Sequence, residues 1–264
     1  SSAVRFEAEN YVPHSIESVY LDFQTVLPIS NHLDHIDVLI GALPKDAVDL
    51  YVEVLRKADL MPQALEIESV AVSRVLMAEN TSAFPVLIVD LGASRSNFIV
   101  FSGHTIRFTA ANPFASEIIT REIARACKVD QKKAEELKRT YGVMGADKEK
   151  GRQVYGVVKP LVGDLIAEIQ RYMSFYESHP AHQHLAKENQ LIKKVVLCGG
   201  GANLRGLPEY LTKELKTEVA LGNPWVNILP SSLKQLPPLA FADSLSYTTA
   251  LGLALRGIQY IDHA

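Results

Sequence analysis

Little in this chain of 264 residues offers itself for cross-linking, membrane crossing or nucleic-acid contact. Its only two cysteines, Cys127 and Cys198, are far apart and each sits in an apolar stretch. That excludes a disulfide framework and reads as buried thiols in a reducing compartment. No apolar run approaches the ~20 residues that span a bilayer. The start shows no signal-peptide pattern. The cytoplasm is therefore the default compartment, with a peripheral place at a membrane through a partner left open. With 27 Lys+Arg against 30 Asp+Glu, the net charge is −3, without the basic excess of a nucleic-acid binder. His179, His182 and His184 are close in sequence. No cysteine or carboxylate stands at ligand spacing beside them, so they read as surface histidines and not as a metal site. No methionine opens the chain either. Ser1-Ser2-Ala3 runs straight into Val4-Arg5-Phe6, as a tag scar or a missing N-terminal region would leave it.

The residues that are present spell a mixed α/β protein. Residues 19–27 alternate, with Val19, Leu21, Phe23 and Leu27 on one face and Asp22 and Gln24 on the other, which predicts a half-buried strand. Residues 36–42 predict a second strand. Val48, Tyr51, Val52 and Leu55 predict a helix over about 45–58, followed by a short strand at Leu65–Ile67 and a helix over 70–76. A new unit follows Thr81-Ser82-Ala83. The unbroken apolar run 86–91 suits a strand covered on both faces, and 97–101 reads as its hairpin return. Asn112-Pro113 predicts a helix start, running to Cys127. Asp130 predicts the cap of a helix over 131–141, on which Ala134, Leu137 and Tyr141 share a face. The longest helix, 152–178, carries Val154, Val158, Leu161, Leu165, Ile169, Tyr172 and Tyr176 as one seam, facing the core or a coiled-coil partner. Pro160 should kink it. The polar stretch 179–190 reads as a loop or a solvated helix start. Strand 194–198, a helix over 208–216, a strand at 219–221, a proline-rich loop over 222–240 and a small-residue helix over 243–257 complete the order.

Three short constellations can carry chemistry. In Asp90-Leu91-Gly92-Ala93-Ser94-Arg95-Ser96 an apolar strand feeds a tight glycine turn. Backbone N–H groups in such a turn can face phosphate oxygens. A carboxylate at the strand end can hold Mg²⁺ through water. Any β-hairpin can carry the same Asp and Gly. In Cys198-Gly199-Gly200-Gly201-Ala202-Asn203 three glycines stand between a buried strand and a helix. Something should need that bare backbone, and an adenine or sugar–phosphate lying on the turn is one candidate. A merely flexible joint is the alternative. Glu135 and Lys138 lie at i and i+3 of one helix and can grip ribose and adenine edges, or form a solvated ion pair.

The order of these parts resembles the second half of the actin/Hsp70/hexokinase-like superfamily. More specific wording is similar to the type IV pilus assembly PilM family: RFEAENYVPHSIESVYLDFQ (5–24), LEIESVAVSRVL (65–76), AEELK (134–138), VLCGGGANLRGLPEYL (196–211), LGNPW (221–225) and LGLALRG (251–257). The resemblance spans about residues 3–258. It implies a two-domain actin-like, ribonuclease H-like ATPase fold with an inserted small α+β subdomain over 1–60. Remnants of a first core domain would lie at 61–83 and 243–264. The second core domain would comprise 84–112 and 191–242, with its helical insertion at 113–190.

The resemblance also implies a function and a site. Family members scaffold pilus assembly in the cytoplasm, peripheral to the inner membrane. They receive the cytoplasmic N-terminal peptide of the inner-membrane protein PilN in a groove between the small subdomain and the first core domain. Their ATP or ADP with Mg would meet Asp90, Gly92, Ala93, Ser94, Glu135, Lys138, Gly199, Gly200, Gly201, Ala202 and Asn203, with Asp90 on Mg through water. A first phosphate turn of Asp-x-Gly-Ser-Ser type does not occur before residue 5, so the first core domain and the ATP site are expected to be incomplete, any ATPase slow, and self-association a consequence of exposed core surface. FtsA, the cell-division relative, is the neighbouring reading, and the ending RGIQYIDHA lacks an amphipathic tail for it. A small-molecule kinase on the same fold would need a base, for which Glu68 is the candidate; a structural carboxylate is the other reading of Glu68.

Overall fold

The computed structural model describes residues 2–26, 36–145, 149–178, 190–229 and 237–261. Leu27, the three neighbouring histidines and the centre of the proline-rich stretch lie outside the described residues. The chain divides into two compact units, Ser1–Ile67 and Glu68–Ala264.

The first unit holds α1 (Ser2–Ala8), β1 (Val19–Thr25), β2 (Val38–Pro44) and α2 (Lys45–Lys57). The two strands pair antiparallel from Val19↔Pro44 to Thr25↔Val38. Val48 of α2 is buried, with Val52 and Leu55 half-buried at helical spacing. The predicted strand at Leu65–Ile67 is absent: these residues carry no strand pairing, and Leu65 is 41% exposed. Two apolar residues flanking Glu66 make too short an alternation to form a ladder by themselves.

The second unit is built on a five-stranded sheet of order β5-β4-β3-β6-β7. Its strands are β3 (Ser82–Leu91), β4 (Ser96–Gly103), β5 (Thr105–Asn112), β6 (Lys194–Cys198) and β7 (Glu218–Leu221). β3, β4 and β5 form an antiparallel meander, while β6 runs parallel to both β3 and β7. Both faces are covered, which explains the unbroken apolar run of β3. Leu87, Val89, Leu91, Phe98 and Val100 point into one core, with α4 (Ser116–Cys127), α5 (Gln131–Tyr141), α6 (Glu149–Ser178) and α7 (Leu207–Leu215). Ile88, Ile99, Val196 and Cys198 point into a second core with Val72 and Val75 of α3 (Glu68–Leu76).

Two short helical segments close the unit. α8 (Phe241–Ser244) and a single 3-10 turn at Leu245–Tyr247 lead into α9 (Thr248–Ile261). α9 presses on α3 so closely that a Cβ at Gly252 would lie 2.0 Å from the Ala71 carbonyl oxygen. Arg74 Nη1 donates to the Gly252 carbonyl oxygen at 3.2 Å.

Three expectations change. β5 had no counterpart in the sequence reading; it follows a turn in which Gly103 takes φ +65. The helix expected at Asn112-Pro113 begins instead at Ser116. Asn112 is the last residue of β5, its Oδ1 accepts from Phe114 N at 2.8 Å, and this local turn carries the chain past the proline. In α6 the buried residue beside Val158 is Val162, and Leu161 is only half-buried. The seam faces the core. The helix continues through Pro160, which lies on its exposed side.

Candidate functional site

All the residues singled out in the sequence lie in the second unit. Strand pairing itself brings the two glycine turns together, because Asp90 of β3 stands opposite Cys198 of β6. Each turn therefore leaves the same end of the sheet, where neighbouring parallel strands of an α/β fold open a crevice.

The three glycines do different work. Gly199 has φ +77, and a Cβ there would sit 2.4 Å from Asp90 Oδ1 and 2.6 Å from the Leu91 carbonyl oxygen. A Cβ at Gly201 would lie 2.9 Å from Leu91 Cβ and 3.1 Å from Ser116 Cβ. These two glycines are bare because the turns pack on one another. Gly200 meets only Ser246 Oγ, at 3.1 Å. A merely flexible joint would not be packed this tightly. Ala202 is buried, and Asn203 Nδ2 donates to the Ala242 carbonyl oxygen at 2.7 Å. Asn203 thus ties its turn to α8.

Asp90 is buried at the mouth of this junction. Burial, followed by the charge of Glu68, pushes its carboxyl up to about 6, against hydrogen bonds from Asn97 and Cys198. Glu68 is itself held on both oxygens: Oε2 accepts from Asn97 Nδ2 at 3.0 Å, and Oε1 accepts from the Thr249 hydroxyl at 3.3 Å. The Cys198 thiol is raised well above its usual value, by burial first and then by Asp90. Two carboxylates sharing one partly dry space favour a cation near them, which fits Mg²⁺. Among the described residues no group of three or more His, Cys, Asp or Glu could hold a metal alone.

The helix that approaches the Asp90 turn has no side-chain cap. Its N-cap position is Ala115, yet its first free N–H groups are used. Ser116 N donates to the Gly92 carbonyl oxygen at 3.0 Å, and Glu117 N donates to the Ala93 carbonyl oxygen at 3.1 Å. The turn caps the helix, satisfying donors that a helix start otherwise leaves open.

Glu135 and Lys138 meet at this same helix. Lys138 Nζ is buried and donates to Glu135 Oε2 at 2.7 Å, Thr120 Oγ1 at 2.8 Å and Ser116 Oγ at 2.9 Å. Thr120 Oγ1 in turn donates to Glu135 Oε2 at 2.8 Å. Burial works against the Glu135 charge, but Lys138, Thr120 and Arg139 outweigh it and hold its carboxyl below the ordinary range. The pair belongs to a network tying α5 to α4, in which Lys138 is buried and Glu135 is half-exposed. Ser116 and Thr120 escaped the sequence reading. The signal available was Ala115, a poor cap directly before a helix, which asks what else caps it.

Comparison with known proteins places this geometry. A profile of the family "Type IV pilus assembly protein PilM" matches residues 1–258. The solved PilM-PilN type IV pilus biogenesis complex superposes with a TM-score of 0.74 at 29% identity, covering 97% of this chain and 71% of that one. Cell division protein FtsA of Pseudomonas aeruginosa is 26% identical over 217 residues, 78% of this chain and 50% of the relative. The chain thus spans about half the length of that curated relative. MreB5 of Spiroplasma citri, solved bound to AMPPNP, shares the fold with a TM-score of 0.58 at 12% identity, over 83% of this chain and 67% of that one. The fold is the actin-like ATPase fold. No helix among the described residues is long and apolar enough to cross a membrane. The family match over nearly every residue, with two glycine turns joined at one sheet end, shows that the chain belongs to the type IV pilus assembly protein PilM family.

Proposed function

We propose that this chain is an actin-like scaffold of type IV pilus assembly that binds the cytoplasmic N-terminal peptide of a PilN-type inner-membrane protein, and that the joined turns are its nucleotide site. One observation carries the scaffold reading: likeness to the PilM-PilN complex extends over 97% of the chain. A peripheral place at the inner membrane would come through that partner.

The nucleotide reading rests on the turn. The carbonyls of Gly92 and Ala93 are held by the α4 N–H groups. In a trans peptide the C=O and the following N–H point in opposite directions, so the N–H groups of Ala93 and Ser94 point away from α4. They make no hydrogen bond among the described residues. Paired donors of this kind suit a phosphate. Mg²⁺, when bound, would neutralise phosphate charge beside Asp90 and Glu68. In this reading 84–112 and 191–242 form the second core domain, with 113–190 inserted in it.

The test is titration of the whole chain with the synthetic N-terminal peptide of the PilN-type protein from the same genome. Saturable one-to-one binding is expected by calorimetry, lost for a peptide of scrambled order. Binding of native and scrambled peptides alike would sink the proposal.

A further inference from the structure

Resting on the nucleotide reading just given, we infer that Arg205 is a positioning residue: a latch that joins α5 to the turn after the three glycines and so sets the width of the gap in which a nucleoside would lie. Two walls face that gap in this reading. α5 carries Glu135 and Lys138, and the glycine turn carries Gly201. Both walls approach Ser116. Its Oγ takes the bond from Lys138 Nζ at 2.9 Å, and its Cβ lies 3.1 Å from where a Cβ on Gly201 would stand. Ser116 fixes how close the walls are at one place. Their separation one turn further along depends on Arg205.

Arg205 is held three times over, each time by the end of α5 or the residues just beyond it. Its Nη1 donates to the Thr140 carbonyl oxygen at 2.7 Å. Its own carbonyl oxygen accepts from Val143 N at 3.0 Å. Its backbone lies against Gly142, where φ is +51; a Cβ there would collide with the Arg205 carbonyl oxygen and stand 2.8 Å from the Arg205 nitrogen. The side chain is exposed, but it sits where a helix leaves its last carbonyls without partners and where a cation meets the negative end of the helix dipole. Backbone bonds carry the latch back to the site. Gly142 N donates to the Lys138 carbonyl oxygen at 2.9 Å, and Leu204 N donates to the Gly201 carbonyl oxygen at 3.1 Å. The latch thus stands one turn from Lys138 on one wall and one turn from Gly201 on the other. Opening it lets the walls part. The turn after Asp90 keeps its separate tie to α4 through Ser116 N and Glu117 N. Loosening the latch should therefore reach a nucleoside and spare a phosphate.

The test compares adenosine with magnesium pyrophosphate, each titrated by calorimetry into the whole chain and into Arg205→Ala, Arg205→Lys and Gly142→Ala, with folding checked by thermal melting. With a latch, Arg205→Ala weakens adenosine about fivefold, as loss of one charge-assisted hydrogen bond can, and leaves pyrophosphate unchanged. Arg205→Lys, which keeps a cation at the helix end, recovers part of the loss. Gly142→Ala adds no functional group, yet it forces α5 off the Arg205 backbone and shows the same selective loss. If Gly142→Ala folds and keeps adenosine while Arg205→Ala loses it, Arg205 touches the nucleotide itself and the inference is overturned. A tie that only stabilises the fold would lower the melting temperature and leave both affinities as they were, which overturns it too. Should Gly142→Ala fail to fold, amide exchange of Val143 without ligand decides: faster exchange in Arg205→Ala supports the latch, and unchanged exchange overturns it. If the unaltered chain binds neither adenosine nor pyrophosphate, the nucleotide reading fails and takes the inference with it.

Discussion

Asp90 is a carboxylate whose surroundings oppose its charge. Its carboxyl stands at about 6 in the fold against 3.8 for an ordinary aspartate. Between those values the folded chain binds a proton that the unfolded chain has released. Stability contributed by this group therefore falls as pH rises from about 4 to about 6, and the deficit persists above it. Its size is roughly 2–3 kcal/mol. Asp90→Asn is expected to raise the melting temperature at pH 7.5 by roughly 5–10 °C and to flatten its decline between pH 4 and 6. Thermal melts across that range check both. Such a deficit, kept in a carboxylate beside a tight glycine turn, agrees with the cation-holding role proposed above. The residue was visible in the sequence as an acid ending an apolar strand. Its partner Asn97 was not, because nothing local distinguishes an asparagine that faces a neighbouring strand's carboxylate.

Among the elements, the turn after β6 was legible because three successive glycines are too costly for a joint that needs nothing. Which glycine did what was not legible, since crowding by Asp90, Leu91 and Ser116 comes from distant sequence. Gly199→Ala should cost roughly 3 kcal/mol or more, through positive φ and overlap with Asp90. Gly200→Ala should cost less than about 1 kcal/mol, because the Ser246 hydroxyl can rotate away. Chemical denaturation of the two variants side by side tests the difference. β5 escaped because Thr105–Asn112 mixes polar and apolar residues at a sheet edge, where only one face is well packed. α4 was placed too early because proline at a first helical turn is a genuine preference; here Asn112 makes a local turn first. α5 was read correctly down to its cap, since Asp130 accepts from Lys133 N at 2.7 Å, and capping is a contact between near neighbours in sequence.

At the scale of the whole molecule, the two units differ in what holds each together. The described residues of the first unit bury five apolar side chains: Ala8, Ile16, Val19, Val26 and Val48. A two-stranded sheet with so small a core is marginal. The unit also carries four basic side chains against eleven acidic ones, a net −7, while the rest of the chain carries +4. Self-repulsion of that size opposes compaction. In hydrogen exchange the β1–β2 amides should open well before those of β3 and β6, and added salt should slow that opening by screening. Simultaneous exchange of both sheets would overturn this. The clamp of α9 on α3 bears on the order of events in synthesis. The Ala71–Gly252 approach joins residues made near the start of the second unit to residues made near its end. A ribosome therefore holds a chain whose sheet can form, but whose α3 face stays apolar and uncovered until α9 emerges. For that interval the uncovered apolar surface is open to association with other chains.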